Sequence, residues 1–211
     1  MSFAAVNGLE HPGGKLLYAG ELDAAGRSLV VAGNIAGAAT LATTADQAAA
    51  RQAMREGVVD FVVTTLDEAL RILKNQVRKR EPVSVSVGQA PEDVEREMLE
   101  RGVKPDLLAG GSDCDSYSFA QFVTLGARVI EPKTPASGQT LFTFEIPHAL
   151  TRESARIEEM IAASLAPDGH VNRRWLRLSP RYLGPGARRV RSVICDSIRA
   201  SALREQLEKL K

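Results

Sequence analysis

Residues 83–109, VSVSVGQAPEDVEREMLERGVKPDLLA, decide the fold of this chain. A β-branched run ends at Gly88, a helix begins at Pro91 and ends at Gly102, and a second apolar run begins at Asp106. Proline at the first helical position and glycine after the last one are common helix boundaries. Strand, helix and strand in this order predict one unit of a parallel sheet, with a ligand crevice at the carboxyl ends of its strands.

The same alternation extends along the chain in both directions. Gly57, Gly102 and Gly126 each end a predicted helix and precede a short β-branched run. Thr65 and Glu68 have the spacing of a capping box, which predicts the start of another helix. We therefore expect a Rossmann-like α/β domain, a mostly parallel sheet with helices on both faces. The other predicted strands are 58–63, 83–87, 106–109 and 128–130, and the other predicted helices run from Asp46 to Glu56, over 91–101 and around 117–125.

Residues 16–22 and 28–32 are two further apolar runs, separated by the sequence DAAGR. Asp23 and Gly26 are typical turn residues, so the two runs are predicted to form a β-hairpin. The small residues 33–38, GNIAGA, would then follow a strand.

Composition excludes several classes of protein. Hydrophobic residues make up 44% of the 211 residues and charged residues 25%, which is typical of a packed globular protein. The net charge of +1 gives no general attraction to nucleic acids or membranes. Two cysteines without zinc-ligand spacing predict no metal site and fit a reducing compartment. The sequence has neither a secretion-signal pattern nor a membrane-length apolar stretch, so we expect a cytoplasmic protein.

The composition shifts in the C-terminal part of the chain, from Val171 to Arg199. Residues 1–147 are assigned to the α/β domain and 148–211 to a helical, arginine-rich C-terminal extension. Helices are predicted from Thr151 to about Leu165 and over 197–210. Residues 171–199 hold eight arginines, no lysine and one acidic residue, with Trp175 and Tyr182 among them.

Arginine with aromatic residues can hold phosphates and bases, but it is also enriched in subunit interfaces. Nucleic-acid binding would be better supported by basic residues spread over a whole domain face. We therefore expect a homo-oligomer formed through the extension rather than a nucleic-acid partner.

Two loops of small residues are candidates for a nucleotide site. Gly33, Asn34, Gly37 and Ala38 would let a backbone approach a pyrophosphate at a helix start. The spacing is not that of a dinucleotide loop, because Ile35 stands where the second glycine would be, and a tight strand-to-helix crossover explains these residues equally well.

Gly88 and Gln89, after a predicted strand, form the second loop. A parallel sheet would place both loops at one edge, where they favour a phosphate-bearing ligand, although ordinary turn chemistry also accounts for Gly88. A ribose-binding acid is expected about twenty residues beyond the first loop, and Glu56 and Asp60 fit that position poorly.

Asp113, Cys114 and Asp115 lie in a third loop, over residues 110–116. Paired carboxylates and a thiol could serve acid–base or nucleophilic chemistry. The simpler interpretation is that Asp113 or Asp115 caps the next helix and that Cys114 is a small buried side chain. No residue is therefore assigned a catalytic role.

Several segments, in the same order, resemble the urocanases (urocanate hydratases). Together they cover roughly residues 27–109. The segments are 27–42, Val59-Asp60 with Thr64, LDEAL at 66–70, 82–88 and ERGVKPD at 100–106.

The resemblance implies a Rossmann-like domain of the kind that holds NAD in urocanases. There the nicotinamide acts as an electrophile toward the substrate imidazole. By position, Gly33, Gly37 and Ala38 would face the pyrophosphate and Gly88 would lie in a second contact loop. Two alternatives stay open: an assembly module that keeps the fold without the nucleotide site, and an enzyme that uses residues 113–115 with arginines of a neighbouring subunit.

Overall fold

A computed structural model describes residue 9 and residues 12–109, 117–131, 134–146, 153–165, 170–182 and 190–209. The chain divides into two compact units, Met1–Pro132 and Lys133–Lys211.

Within the described part of unit 1, six strands form one parallel sheet in the order β3-β4-β2-β1-β5-β6. The predicted α/β class is confirmed. The strands are β1 (Leu16–Glu21), β2 (Ala39–Thr43), β3 (Phe61–Val63), β4 (Val83–Val87), β5 (Leu107–Ala109) and β6 (Arg128–Ile130).

Helices cover both faces of this sheet, as predicted. One face packs against Leu70, Met98 and Phe122, which come from three different helices and share one hydrophobic core with the strands. On the other face, the first helix approaches Leu17 and Thr40. The helices are α1 (Ala24–Ala36), α2 (Gln47–Arg55), α3 (Leu66–Lys79), α4 (Pro91–Glu100) and α5 (Tyr117–Thr124).

The predicted hairpin is wrong. Residues 28–32 are the middle of α1, and β1 pairs with β2 in parallel, with Leu16 opposite Ala39. Asp23 is the N-cap of α1 instead of a turn residue. The error has a physical reason: an apolar run of five residues is too short for its periodicity to separate helix from strand.

Unit 2 pairs strands that are far apart in sequence. Strand β7 (Gln139–Glu145) lies antiparallel to β8 (Val190–Asp196). The described helices of the unit are α6 (Ser154–Ser164), α7 (His170–Tyr182) and α8 (Ser197–Glu208). The predicted boundary at residue 147 therefore lies too late, because β7 belongs with β8 in unit 2. Thr151, the predicted cap of α6, lies outside the described residues.

Phe142, Phe144 and Val193 form the buried side of the small sheet, whereas Leu141 on its other side is 48% exposed. None of the helices in the described ranges is long and apolar enough to cross a membrane.

Candidate functional site

The carboxyl ends of the central strands are where a ligand of this fold is expected. Strand β1 lies between β2 and β5, and the chain leaves it first toward β2 and later toward β5, so β1 marks the switch point of the sheet. Three described turns leave this edge near the switch point. They are residues 22–23 after β1, 44–46 after β2 and 88–90 after β4.

Gly33, Asn34, Gly37 and Ala38 lie at the opposite edge of the sheet. Gly33 and Asn34 belong to the last turn of α1, Gly37 is its C-cap in the left-handed region with φ 106°, and Ala38 directly precedes β2. The prediction that this loop follows a strand and shares an edge with Gly88 is therefore wrong. This connection runs from the end of α1 to the start of β2, so it contains no helix N-terminus that could attract a phosphate.

Packing and hydrogen bonding explain two of these residues. A Cβ atom on Gly33 would lie 2.3 Å from Thr40 Oγ1, so the glycine lets α1 lie directly on β2. Asn34 is buried, and its Nδ2 donates to the Val58 carbonyl at 2.9 Å and to Ser84 Oγ at 3.2 Å. Both residues therefore have structural partners at this edge.

Gly88 and Gln89 do lie at the carboxyl edge. The Gly88 N–H donates to the Val63 carbonyl at 2.8 Å, and Gln89 Nε2 donates to the Thr64 carbonyl at 3.1 Å. The next helix, α4, has Ala90 at its N-cap without a side-chain acceptor, and Glu92 and Asp93 are in its first turn. The turn after β4 is therefore hydrogen-bonded to the end of β3, and the first turn of α4 already carries two carboxylates.

The first strand-to-helix turn, at residues 20–26, was missed by the sequence reasoning. Gly20 has φ +71°, a conformation that favours glycine. A Cβ on Gly26 would lie 1.8 Å from the Glu21 carbonyl oxygen, so only glycine fits there. Two glycines around the end of the run 16–22 are the signal that could have identified this turn.

Polar groups of the chain itself engage this first turn. Asp23 Oδ1 accepts a hydrogen bond from the Gly26 N–H at 2.8 Å, and the Asp23 carbonyl accepts one from Arg27 N–H at 2.9 Å. The Leu22 N–H donates to the Thr43 carbonyl at 2.8 Å. A carboxylate of the chain thus occupies the position at the start of α1 where a helix dipole favours an anion.

Asp46 follows β2 and lies twenty residues after Gly26. Its Oδ1 accepts from the Ala48 and Ala49 N–H groups at 2.8 and 3.1 Å, and the residue is exposed. With β1 identified as the first strand, Asp46 rather than Glu56 or Asp60 stands at the position after the second strand where the sequence reasoning expected an acid.

Glu68 adds negative charge after β3. Hydrogen bonds from Thr64, first of all from its backbone N–H, lower the pKa of the Glu68 carboxyl. Asp113, Cys114 and Asp115, which follow β5, lie outside the described residues.

Several arginines of the segment 171–199 have partners inside unit 2. Arg191 is 3% exposed, forms an ion pair with Glu158, and donates to the Leu176 carbonyl at 2.7 Å. Arg173 donates to the carbonyls of Ala162 and Leu165. These arginines join the helices of unit 2, a role that the sequence reasoning did not assign to them.

Comparison with known families agrees with the architecture of unit 1. A family model described as the urocanase Rossmann-like domain matches residues 3–128, more than half of the chain. The chain belongs to the urocanase Rossmann-like domain family. The match ends within unit 1, so unit 2 lies outside it.

This family binds NAD, so the first turn of this urocanase Rossmann-like domain can be tested for its fit to a pyrophosphate. A dinucleotide loop presents glycines and free N–H groups to the phosphates. Here Glu21 ends β1, Asp23 caps α1, and the Gly26 N–H is already bonded to Asp23. The described residues of the first turn do not fit a pyrophosphate.

Proposed function

We propose that this chain is an assembly or interaction module, which keeps the urocanase Rossmann-like fold but does not bind a dinucleotide at its first turn. The hydrogen bond between Asp23 Oδ1 and the Gly26 N–H carries the proposal. A phosphate at this position would have to displace the Asp23 carboxylate and then lie beside it and Glu21. The negative charges of the phosphate and the two carboxylates would repel each other, so binding would lose much of its free energy.

Self-association through unit 2 is part of the proposal. Ile198, at the start of α8, is 83% exposed, and Leu141 and Val190 on the small sheet are 48% and 50% exposed. We propose these exposed apolar residues as contact positions for a partner. A second copy of the chain presents the same surface, which suits a two-fold symmetric dimer. We also propose a cytoplasmic location, because the two cysteines fit a reducing compartment.

NAD binding is the second candidate function. Membership of an NAD-binding family supports it, as does Asp46, which lies at the end of β2 where a ribose contact is expected. In this candidate Gly88 and Gln89 belong to the cofactor site, and binding must open the hydrogen bond between Asp23 and Gly26.

Calorimetric titration with NAD⁺ separates the two candidates. We expect no saturation by the wild-type protein at about 1 mM NAD⁺, the range of very weak binding. Denaturation should release no nucleotide, so mass spectrometry of the supernatant should detect none. The double variant Glu21→Gly with Asp23→Ser keeps a capping hydroxyl and removes both charges. If either charge opposes the phosphates, this variant should bind NAD⁺ more tightly than the wild-type protein does.

Saturable wild-type binding below about 0.1 mM would overturn the first proposal and favour the second. Asp46→Asn then serves as the matched test. If Asp46 holds the ribose, this variant weakens NAD⁺ binding by about tenfold, the usual cost of one charged hydrogen bond. An unchanged affinity would remove Asp46 from the site.

The proposed self-association is measured by light scattering on the full chain. Ile198→Glu places a charge at an exposed apolar position of unit 2 and should lower the molar mass toward that of the monomer. Val123→Glu is the control, because Val123 is also exposed, at 40%, but lies in unit 1. Equal masses for wild type and both variants would contradict an interface at Ile198.

A further inference from the structure

Helices α6 and α7 of unit 2 enclose a groove of about 500 Å³. Sites for small organic ligands usually have volumes of about 300 to 1,000 Å³. Ala155 and Ala162 line the α6 side, and Leu176 lines the α7 side. Two of the four α6 residues that line the groove are alanines, whereas α7 lines it with longer side chains.

Two arginines hold this groove in shape. Arg191 joins both helices, since it forms an ion pair with Glu158 of α6 and donates to the Leu176 carbonyl of α7 at 2.7 Å. Its guanidinium carbon also lies 5.8 Å from the centre of the Phe144 ring. Arg173 of α7 donates to the Ala162 carbonyl of α6 at 3.2 Å. A ligand would therefore meet helices that are already fixed relative to each other.

Positive charge dominates the groove. Arg173, Arg174 and Arg177 line it together with two carboxylates, and one of these, Glu158, is paired with Arg191. Glu159 is the remaining carboxylate and is exposed. Burial lowers the pKa of the Arg174 guanidinium, and the neighbouring charge of Arg177 lowers it further. An anion in the groove would offset both effects.

We propose that the α6–α7 groove binds a small organic anion, whose acidic group is held by Arg174 and Arg177 and whose apolar body rests on Ala155, Ala162 and Leu176. This function is separate from that proposed for the sheet edge. Carboxylates, sulfonates and phosphates share the relevant chemistry, since arginine can offer each of them two parallel N–H groups.

Fluorescence titration of the full chain tests this site with anilinonaphthalene sulfonate as the probe. The probe has an aromatic body and one acidic group, and its uncharged parent, phenylnaphthylamine, is the matched ligand control. We expect saturable binding of one sulfonate per chain and weaker binding of the parent. Arg177→Gln, at an exposed position, should raise the Kd by about tenfold, the usual effect of losing one charge-assisted hydrogen bond.

Matched protein variants complete the test. Ala155→Phe fills the groove without changing its charge and should abolish binding, whereas Glu159→Gln removes the opposing carboxylate and should tighten it. Arg78→Gln, on an exposed helix end in unit 1, should change nothing. Equal affinity for the uncharged parent, or an unchanged Kd in both Arg177→Gln and Ala155→Phe with normal circular dichroism, would overturn the proposal.

Discussion

Gly33 is a residue whose role depends on a neighbour that is distant in the sequence. A Cβ at this position would lie 2.3 Å from Thr40 Oγ1 and 3.0 Å from Leu17 Cδ2, so the side of α1 that faces the sheet has room for hydrogen alone. A small residue in a sequence is equally compatible with a phosphate loop and with close packing. The sequence could not distinguish them, because Thr40 and Leu17 meet Gly33 only in the folded sheet.

Replacing Gly33 should therefore destabilise the protein. Gly33→Ala forces α1 away from the sheet, and overpacking of this kind costs about 1–3 kcal/mol of the free energy of unfolding. Urea denaturation measures the change. Gly88→Ala is the matched control, because its Cβ would meet only the Val63 carbonyl oxygen at 3.5 Å, an ordinary contact.

The double variant Gly33→Ala with Thr40→Ala checks the cause. Removal of Thr40 Oγ1 frees the space that the new methyl group needs, so the two substitutions should cost less together than the sum of their separate effects. Strict additivity would point to a different role for Gly33.

At the scale of elements, capping signals predicted helices more reliably than apolar runs did. Thr65 accepts a hydrogen bond from the Glu68 N–H at 3.3 Å, and α3 begins where the capping box placed it. Strand β4 has its predicted bounds, because Pro82 and Gly88 mark the two ends of the run in the sequence. Helix α1 was misassigned because Asp23 can begin a turn or cap a helix, and local sequence does not decide between them.

Helix α8 offers an element whose stability should depend on pH. Asp196 caps it, and hydrogen bonding from the Arg199 backbone N–H, followed by the Arg199 charge, lowers the pKa of the Asp196 carboxyl. A lowered pKa in the folded state gives a stabilisation that is complete above the pKa of the unfolded chain. This stabilisation is lost as the pH falls through the lower, folded value.

Wild-type unit 2 should therefore lose more stability than Asp196→Asn between about pH 6 and pH 2.5. Trp175, the single tryptophan of the chain, is buried in unit 2 and reports its unfolding by urea. Glu205→Gln is an exposed control on the same helix. A difference between wild type and Asp196→Asn that stays constant over this pH range would contradict the role of the Asp196 carboxylate.

At the scale of the whole molecule, the fold of unit 1 was predictable and the division of the chain was not. Repeated helix-exit glycines and β-branched runs indicated a parallel sheet, because these signals are local. The partner of β7 is β8, which lies more than forty residues further along the chain, so the sequence near residue 147 could not reveal it. Likewise, the location of the first strand-to-helix turn depended on assigning α1 correctly.

The division at Pro132 predicts how fragments behave. Residues 1–132 should fold alone, and residues 1–147 should have the same urea midpoint, because β7 without β8 adds no sheet. Circular dichroism measures both. A fragment 1–147 that is clearly more stable than 1–132 would show that β7 supports unit 1.

The order of strands in unit 1 also has a consequence for synthesis on the ribosome. Strand β4 lies between β2 and β3, although it is made after both. Among the described strands β3 has β4 as its one neighbour, so a nascent chain that ends before residue 83 leaves β3 without that partner and one side of β2 open. Open strand edges promote aggregation. Translation of residues 83–87 therefore gives β3 its partner and covers the open side of β2, whereas the open side of β1 stays exposed until β5 is made.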